Sequence, residues 1–175
     1  MILEKEGYFM SIKNLTRYGV LLAILIVVTL IIKIPAVNQM GYLNLSDVLV
    51  IIYATLFPKK EIAFSAGLGT AVADLALGYG SYAPFTFLIK AIEASFIIIY
   101  LNQAKKPSDF KYFLMVFIAL SFMVLSYGLV DAFIFSNWYY FYASILFNLN
   151  QAGVALIIIL VIKEPVLKLI NIFNL

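Results

Sequence analysis

The sequence contains no cysteine and no histidine, and only 12% of its 175 residues are charged. The absence of cysteine excludes disulfides and thiolate catalysis, and the absence of histidine removes the commonest zinc ligand and the usual general base. A soluble domain carries about twice this share of charged residues. The chain is instead 65% hydrophobic, with a mean hydropathy of +1.05. A water-soluble globular fold is therefore excluded.

The apolar residues fall in long blocks, which at about 20 residues per span predict an all-α membrane protein with six transmembrane helices in one domain. The predicted spans cover residues 18–34, 45–57, 61–77, 84–101, 110–135 and 139–162. Residues 163–175 follow as a short interfacial helix or as a simple end cap. The first block is longer than the core of a signal peptide, and no small-residue cleavage site follows it.

The basic residues predict the orientation of the chain. With six spans and a cytoplasmic N-terminus, ten of the twelve lysines and arginines fall in cytoplasmic segments, and only Lys33 and Lys90 do not. This is the positive-inside distribution, so we expect both termini in the cytoplasm. The outer turns instead carry tyrosines and Trp138, which form either an aromatic belt at the membrane surface or the walls of an outward-facing pocket.

Besides Lys33, Glu61 and Lys111 near span ends, the predicted spans contain five charged residues: Asp47, Asp74, Lys90, Glu93 and Asp131. Each costs about 2.5–3.5 kcal/mol to place in a bilayer, so each needs a partner, a cavity or a function. Thr86, Lys90 and Glu93 share one face of the fourth helix, which must point into the bundle. Lys90 and Glu93 either pair with each other or contact a ligand.

Ser144, Asn148 and Gln151 share a face of the sixth helix in the same way. Amides both donate and accept hydrogen bonds, which suits recognition of a neutral heterocycle. Hydrogen bonding between helices is the equally weighted alternative. Small residues predict a central position for the third helix, and Gly19 and Ala23 form a small-residue pair on the first helix that either packs internally or docks a partner protein.

Enzymatic functions fit this chain poorly. An intramembrane aspartyl protease needs two carboxylates that share a proton, and Asp74 with Asp131 is formally available, but the Gly-x-Gly-Asp sequence typical of that type is missing. The chain also has no G-x-x-x-x-G-K-[ST] phosphate loop. We therefore expect no enzyme, no metal and no cofactor in this chain, and ATP to be handled by another subunit.

Several motifs occur together: Gly41-Tyr42-Leu43-Asn44-Leu45-Ser46-Asp47, the pair Lys59-Lys60, the glycine-rich run from Gly67 to Gly78, Tyr82-Ala83-Pro84, and Ile89-Lys90-Ala91-Ile92-Glu93. Together they resemble the substrate-binding S component of an energy-coupling factor (ECF) transporter. The resemblance is close over the first four helices and extends to the last two only in pattern. Within the family, the chain is most similar to the group of riboflavin-like and hydroxymethylpyrimidine or pyridoxine carriers.

The resemblance implies a subunit of the bacterial plasma membrane that captures a vitamin at the outer face and delivers it inward. A transmembrane T component and two ABC ATPases are the implied partners. Gly19 and Ala23 take the positions of the family's Ala-x-x-x-Ala pattern. Glycine replaces alanine at the first position, and the residue there is still small. The regions that form the pocket in such proteins contain Asn38, Asn44, Tyr82, Lys90, Glu93, Trp138, Tyr142, Asn148 and Gln151.

The expected ligand is a hydroxymethylpyrimidine or a pyridoxine-like ring, stacked on Trp138 or a neighbouring tyrosine. Asn148, Gln151 and either Glu93 or Lys90 would then contact its ring nitrogens and hydroxymethyl groups. The alternatives are an S component for another vitamin, such as riboflavin or pantothenate, and a membrane scaffold or assembly protein that transports nothing.

Overall fold

The computed structural model describes residues 12–35, 42–104 and 108–173. Its six helices are α1 (Ile12–Ile31), α2 (Ser46–Leu56), α3 (Lys60–Ala76), α4 (Ala83–Gln103), α5 (Asp109–Ile134) and α6 (Trp138–Phe173). Two short strands, β1 (Lys33–Pro35) and β2 (Tyr42–Asn44), lie between α1 and α2. The six predicted helices are therefore present, with a small hairpin that the sequence analysis did not predict.

Three of the six helices are long and apolar enough to cross a membrane, judged by length and composition: Ala83–Gln103, Asp109–Ile134 and Trp138–Pro165. Two further apolar segments, Tyr18–Ile31 and Ser46–Leu56, are shorter. Large apolar side chains are exposed on the outer surface of the bundle, among them Phe110, Phe117, Leu125, Leu146 and Val161. A surface of this kind is typical of a protein that faces lipid. Six complete crossings stay a prediction.

The hairpin replaces the end of the first predicted span. That span was placed through Ile34, but α1 ends at Ile31 and the next residues pair antiparallel with β2, with Lys33 opposite Asn44 and Pro35 opposite Tyr42. Proline disfavours helical geometry in the residue before it, and it is tolerated at the edge of a small sheet. Pro35 therefore ends α1 early and directs the chain into β1.

The last helix is longer than predicted. The sixth span was placed from residue 139 to residue 162, but α6 continues to Phe173, with Pro165 inside it. Its 36 residues correspond to about 54 Å at 1.5 Å per residue, which exceeds the roughly 30 Å thickness of a bilayer's hydrocarbon core. Residues 163–173 thus continue α6 rather than forming a separate helix, and their position at the membrane surface stays a prediction.

Small residues let α3 pack closely between α1 and α4. A Cβ atom added at Gly67 would lie 2.4 Å from the backbone oxygen of Phe87 in α4. On the other side, a Cβ atom at Gly69 would lie 3.3 Å from the Cβ atom of Leu25 in α1. The first distance is shorter than any ordinary contact, so only glycine fits at position 67. The close packing predicted for the third helix is therefore present, but its predicted position in the middle of the bundle is wrong, because Phe64 and Leu75 on its free face are 58% and 61% exposed.

Candidate functional site

A polar cavity lies at one end of the bundle. It is formed by the C-terminal halves of α1, α3 and α5, the N-terminal halves of α2, α4 and α6, and the strand β2. Its lining is rich in hydroxyl, carboxyl and amide groups and consists of Thr29, Tyr42, Asn44, Ser46, Thr70, Asp74, Tyr79, Tyr82, Thr86, Lys90, Tyr127, Asp131, Phe147, Asn148 and Gln151. Alternating helix directions bring these residues together, although they span more than 120 positions of the chain.

A buried ion cluster forms one wall of this cavity. The Nζ atom of Lys90 donates to Oδ1 of Asp47 and, at 3.0 Å, to Oε2 of Glu93. All three residues are at most 1% exposed. The predicted pair between Lys90 and Glu93 is thus present, and Asp47 adds a second carboxylate from α2. Pairing of this kind is what keeps charges tolerable inside a membrane protein.

Gln151 extends the ion cluster to α6 and to the hairpin. Its amide nitrogen donates to Oδ2 of Asp47. Its amide oxygen accepts from the backbone nitrogen of Asn44 at 2.9 Å. The side chain of Asn44 in turn accepts from the backbone nitrogen of Ser46 at 2.7 Å, at the start of α2. One network of hydrogen bonds therefore fixes β2, α2, α4 and α6 relative to each other.

Two pairs of a tyrosine and a carboxylate form the opposite part of the cavity. The hydroxyl of Tyr42 donates to Oδ1 of Asp74 at 2.7 Å, and the hydroxyl of Tyr82 donates to Oδ1 of Asp131. Tyr79 lies between the two tyrosines, with ring centroids 5.1 Å from Tyr42 and 6.2 Å from Tyr82. Burial and the nearby Asp74 raise the pKa of the Tyr42 phenol, so this hydroxyl remains a donor.

Several polar atoms in this cavity have no hydrogen-bond partner. Among the described residues, four buried side-chain atoms are unpartnered, and three of them belong to cavity residues: Oγ1 of Thr29, Oγ of Ser46 and Oδ2 of Asp74. The fourth is Oε1 of Glu93, in the ion cluster. Buried polar atoms are nearly always hydrogen-bonded in native proteins, because leaving them unpaired costs about 1–3 kcal/mol each. Their concentration here indicates a site that a polar ligand would complete.

The cavity is small. Its volume is about 40 Å³, measured as the space that the centres of water-sized molecules can occupy. By that measure one water needs about 10–15 Å³, so the space suits a few waters. Pockets for drug-sized ligands are about 300–1,000 Å³. A single ring would therefore require side chains to move, and a three-ring compound would require a much larger rearrangement.

Five of the nine residues predicted to bind substrate line this cavity: Asn44, Tyr82, Lys90, Asn148 and Gln151. Glu93 lies directly behind Lys90 in the ion cluster. Trp138 and Tyr142 are each 66% exposed and do not line the cavity. Trp138 instead borders a shallow depression at the turn between α5 and α6. Asn38 lies outside the described residues.

The expectation that Trp138 stacks on the ligand does not fit this cavity. Tyr42, Tyr79, Tyr82 and Tyr127 are the aromatic residues with hydroxyl groups in the lining. Tyr42 and Tyr79 are among the outer-turn tyrosines that the sequence assigns either to an aromatic belt or to pocket walls, and no sequence pattern singles out Tyr127. The useful signal was the alternation of helix directions, which brings the end of α5 to the same level as the starts of α4 and α6.

A second surface feature lies at the opposite end of the bundle. An apolar groove between α1 and α3, here called the α1–α3 groove, is lined by Leu15, Tyr18, Gly19, Leu22, Lys60, Glu61, Phe64, Ser65 and Leu68. Gly19 and Ala23 are both exposed, and a Cβ atom at Gly19 would meet no described atom within 4 Å. The pair therefore does not serve packing between the described helices.

A bundle of apolar helices that encloses a polar cavity at one end, with several polar atoms left without a hydrogen bond, has the architecture expected of a membrane protein for a small polar ligand. The chain belongs to the family of S components of the ECF-type riboflavin transporter, whose model matches residues 9–168. The predicted family membership is thereby confirmed, and the chain is a multi-pass membrane protein of a transporter family rather than an enzyme family. The match does not distinguish between substrates within the family.

One curated relative is an uncharacterised protein of Pyrococcus woesei. It is 40% identical to this chain over 67 residues, which are 38% of this chain and 45% of the relative. The chain thus spans less than half the length of this relative, whose name states no activity.

Proposed function

We propose that this protein is the S component of an ECF-type importer and captures a small, single-ring vitamin or vitamin precursor in the polar cavity. A T component and two ABC ATPases would then drive release on the cytoplasmic side. The observation that carries the proposal is the set of unpartnered polar atoms on Thr29, Ser46 and Asp74 in one buried cavity. A permanent structural cluster would satisfy these groups internally, as the Lys90 cluster largely does.

The size and chemistry of the cavity favour a hydroxymethylpyrimidine or a pyridoxine-like ring over riboflavin. Such a ring carries nitrogens and hydroxyl groups that match the hydroxyls and amides of the lining, and its faces suit the tyrosine side chains. Riboflavin has three fused rings and a ribityl chain, which exceed the present space by far. The family name alone therefore does not decide the substrate.

Asn148 offers a test with a closely matched control. Its amide nitrogen donates to the backbone oxygen and to Oγ of Ser144, both at 3.0 Å, which leaves its amide oxygen for a ligand in the cavity. Asn150, two residues further along, is exposed and donates to the backbone oxygen of Leu146 at 2.9 Å. The two amides differ in their position relative to the cavity and not in chemistry.

We expect purified protein in detergent to bind radiolabelled hydroxymethylpyrimidine or pyridoxine saturably, and riboflavin and pantothenate more weakly. Asn148→Ala should weaken binding by about tenfold, as expected for one hydrogen bond to a ligand, and Asn150→Ala should leave it unchanged. Tighter binding of riboflavin would contradict the single-ring assignment. The absence of saturable binding to any vitamin tested would favour the scaffold function instead.

A further inference from the structure

Asp74 presents an unused charged acceptor to the cavity. Its side chain is buried, with 4% of the residue exposed. One carboxylate oxygen, Oδ1, accepts from Tyr42, whereas Oδ2 accepts no well-formed hydrogen bond from a described residue, although the Thr86 hydroxyl lies close to the carboxylate. A carboxylate oxygen can only accept while the group is ionised. Whatever completes this site must therefore bring a hydrogen-bond donor to Oδ2.

The surroundings of Asp74 add further negative potential. Asp74 lies in the last turn of α3, and Asp131, the second carboxylate in the cavity, lies in the last turn of α5. Neither of these two helices has a basic residue in its last turn. The C-terminal end of a helix carries about half a negative charge, which disfavours a carboxylate and favours a cation. Beyond the tyrosine hydroxyls that donate to them, a cation is therefore a favourable partner for both carboxylates while they are ionised.

Lys90 acts on Asp74 electrostatically but forms no ion pair with it. It is the one lysine or arginine in the cavity lining, and its Nζ atom already donates to Asp47 and Glu93. The cavity and its ion cluster together hold four carboxyl groups, on Asp47, Asp74, Glu93 and Asp131, against this single ammonium group. The N-terminus of α2, which also reaches the cavity, has Asp47 in its first turn.

We propose that the cavity selects a cationic ligand, whose protonated nitrogen donates to Oδ2 of Asp74, and that it rejects ligands bearing a carboxylate or a phosphate. The inference deepens the proposed function and rests on it, because it assigns the charge of the ring compound bound in the same cavity. The unpartnered hydroxyls of Thr29 and Ser46 are further acceptors for the same N–H groups. A primary ammonium group carries three donors and can use several acceptors at once.

Three compounds that share one pyridine ring isolate the effect of charge. The three compounds differ at one ring position. Pyridoxamine carries an aminomethyl group there, pyridoxine a hydroxymethyl group and 4-pyridoxic acid a carboxylate. Isothermal titration of the detergent-purified protein at neutral pH should give the tightest binding for pyridoxamine. Pyridoxine should bind about tenfold more weakly, which is the effect of one charge-assisted hydrogen bond, and the acid should show no saturable binding.

Asp74→Asn keeps the shape of the side chain and removes its charge. We expect it to weaken the binding of pyridoxamine by about tenfold or more and that of pyridoxine by less than about threefold. Asp109→Asn is the matched control, because the Asp109 side chain is 89% exposed at the other end of the bundle. It should change neither affinity.

The outcomes separate this inference from the proposed function. Equal or tighter binding of 4-pyridoxic acid, or an Asp74→Asn variant that keeps the preference for pyridoxamine, would overturn the inference and leave the transport function standing. If no pyridine compound binds, the pyridoxine-like assignment is wrong, and thiamine, riboflavin and pantothenate then supply a cation, a neutral compound and an anion for the same comparison. Tighter binding of riboflavin or pantothenate than of thiamine would overturn the cation selectivity. If none of these compounds binds and hydroxymethylpyrimidine does not bind either, both proposals are wrong.

Discussion

At the scale of single residues, the Lys90 cluster joins three buried side chains from two helices, of which only Lys90 and Glu93 are neighbours along the chain. Thr86, Lys90 and Glu93 were assigned to one inward face of the fourth helix, and all three are buried. The helical repeat alone carries that information. The bonds from Lys90 to Asp47 and from Gln151 to Asp47 join residues 43 and 104 positions apart, and no local pattern encodes such distances.

Lys90 gives the first prediction at this scale. Lys90→Met would leave Asp47 and Glu93 in the bundle without a cation, and breaking a buried ion pair from one side costs about 3–5 kcal/mol. We expect a clearly lower thermal unfolding midpoint in detergent. Adding Asp47→Asn and Glu93→Gln to this variant should recover much of the loss, because the unpaired charges are then gone.

Lys163→Met is the control for this loss. Lys163 pairs with Asp109, whose side chain is 89% exposed, and ion pairs of this exposure contribute at most about 1 kcal/mol. An equal loss of stability in Lys163→Met and Lys90→Met would show that the destabilisation by Lys90→Met does not come from the burial of the Lys90 cluster.

At the scale of the helices and strands, the apolar blocks predicted the middle of every helix well and the ends less well. α2, α3, α4 and α5 begin and end within about two residues of the predicted spans. The departures are α1, which begins at Ile12 instead of residue 18 and ends early where Pro35 leads into the hairpin, and α6, which continues past Pro165. Hydropathy reports which residues avoid water, whereas helix ends depend on backbone geometry that an apolar run does not reveal.

The exposed small residues of α1 give a prediction at the scale of elements. If Gly19 and Ala23 dock the T component, Gly19→Leu and Ala23→Leu should abolish uptake in cells, because a large side chain separates the two helix backbones. Substrate binding by the isolated protein should persist, since the polar cavity lies at the opposite end of the bundle and no described atom is near the new side chain at position 19.

Gly153→Leu in α6 is the matched control for the α1 variants. A Cβ atom at this glycine also meets no described atom within 4 Å, and the residue is exposed. It should leave both binding and uptake intact. Loss of uptake in all three variants would indicate a general effect of bulky residues on the outer surface rather than a docking face on α1.

At the scale of the whole molecule, the two ends of the bundle differ in chemistry. One end holds the polar cavity, with tyrosines and carboxylates. The opposite end holds Lys59 and Lys60 between α2 and α3, Lys111 at the start of α5, and Lys163 toward the end of α6. By the positive-inside rule we expect this lysine-rich end to face the cytoplasm, which would place the cavity on the outer side and both chain termini in the cytoplasm.

Cysteine labelling tests the orientation directly, since the native chain has no cysteine to remove. Ser136 lies exposed in the turn between α5 and α6, at the cavity end, and Lys105 falls in the sequence between Gln103, where α4 ends, and Asp109, where α5 begins. We expect Ser136→Cys to react with a membrane-impermeant thiol reagent on intact cells, and Lys105→Cys to react only after the cells are permeabilised. Thr70→Cys, which is buried in α3, should react in neither case. If Lys105→Cys were labelled on intact cells and Ser136→Cys were not, the cavity would open to the cytoplasm, and capture of a vitamin from outside would require a different site.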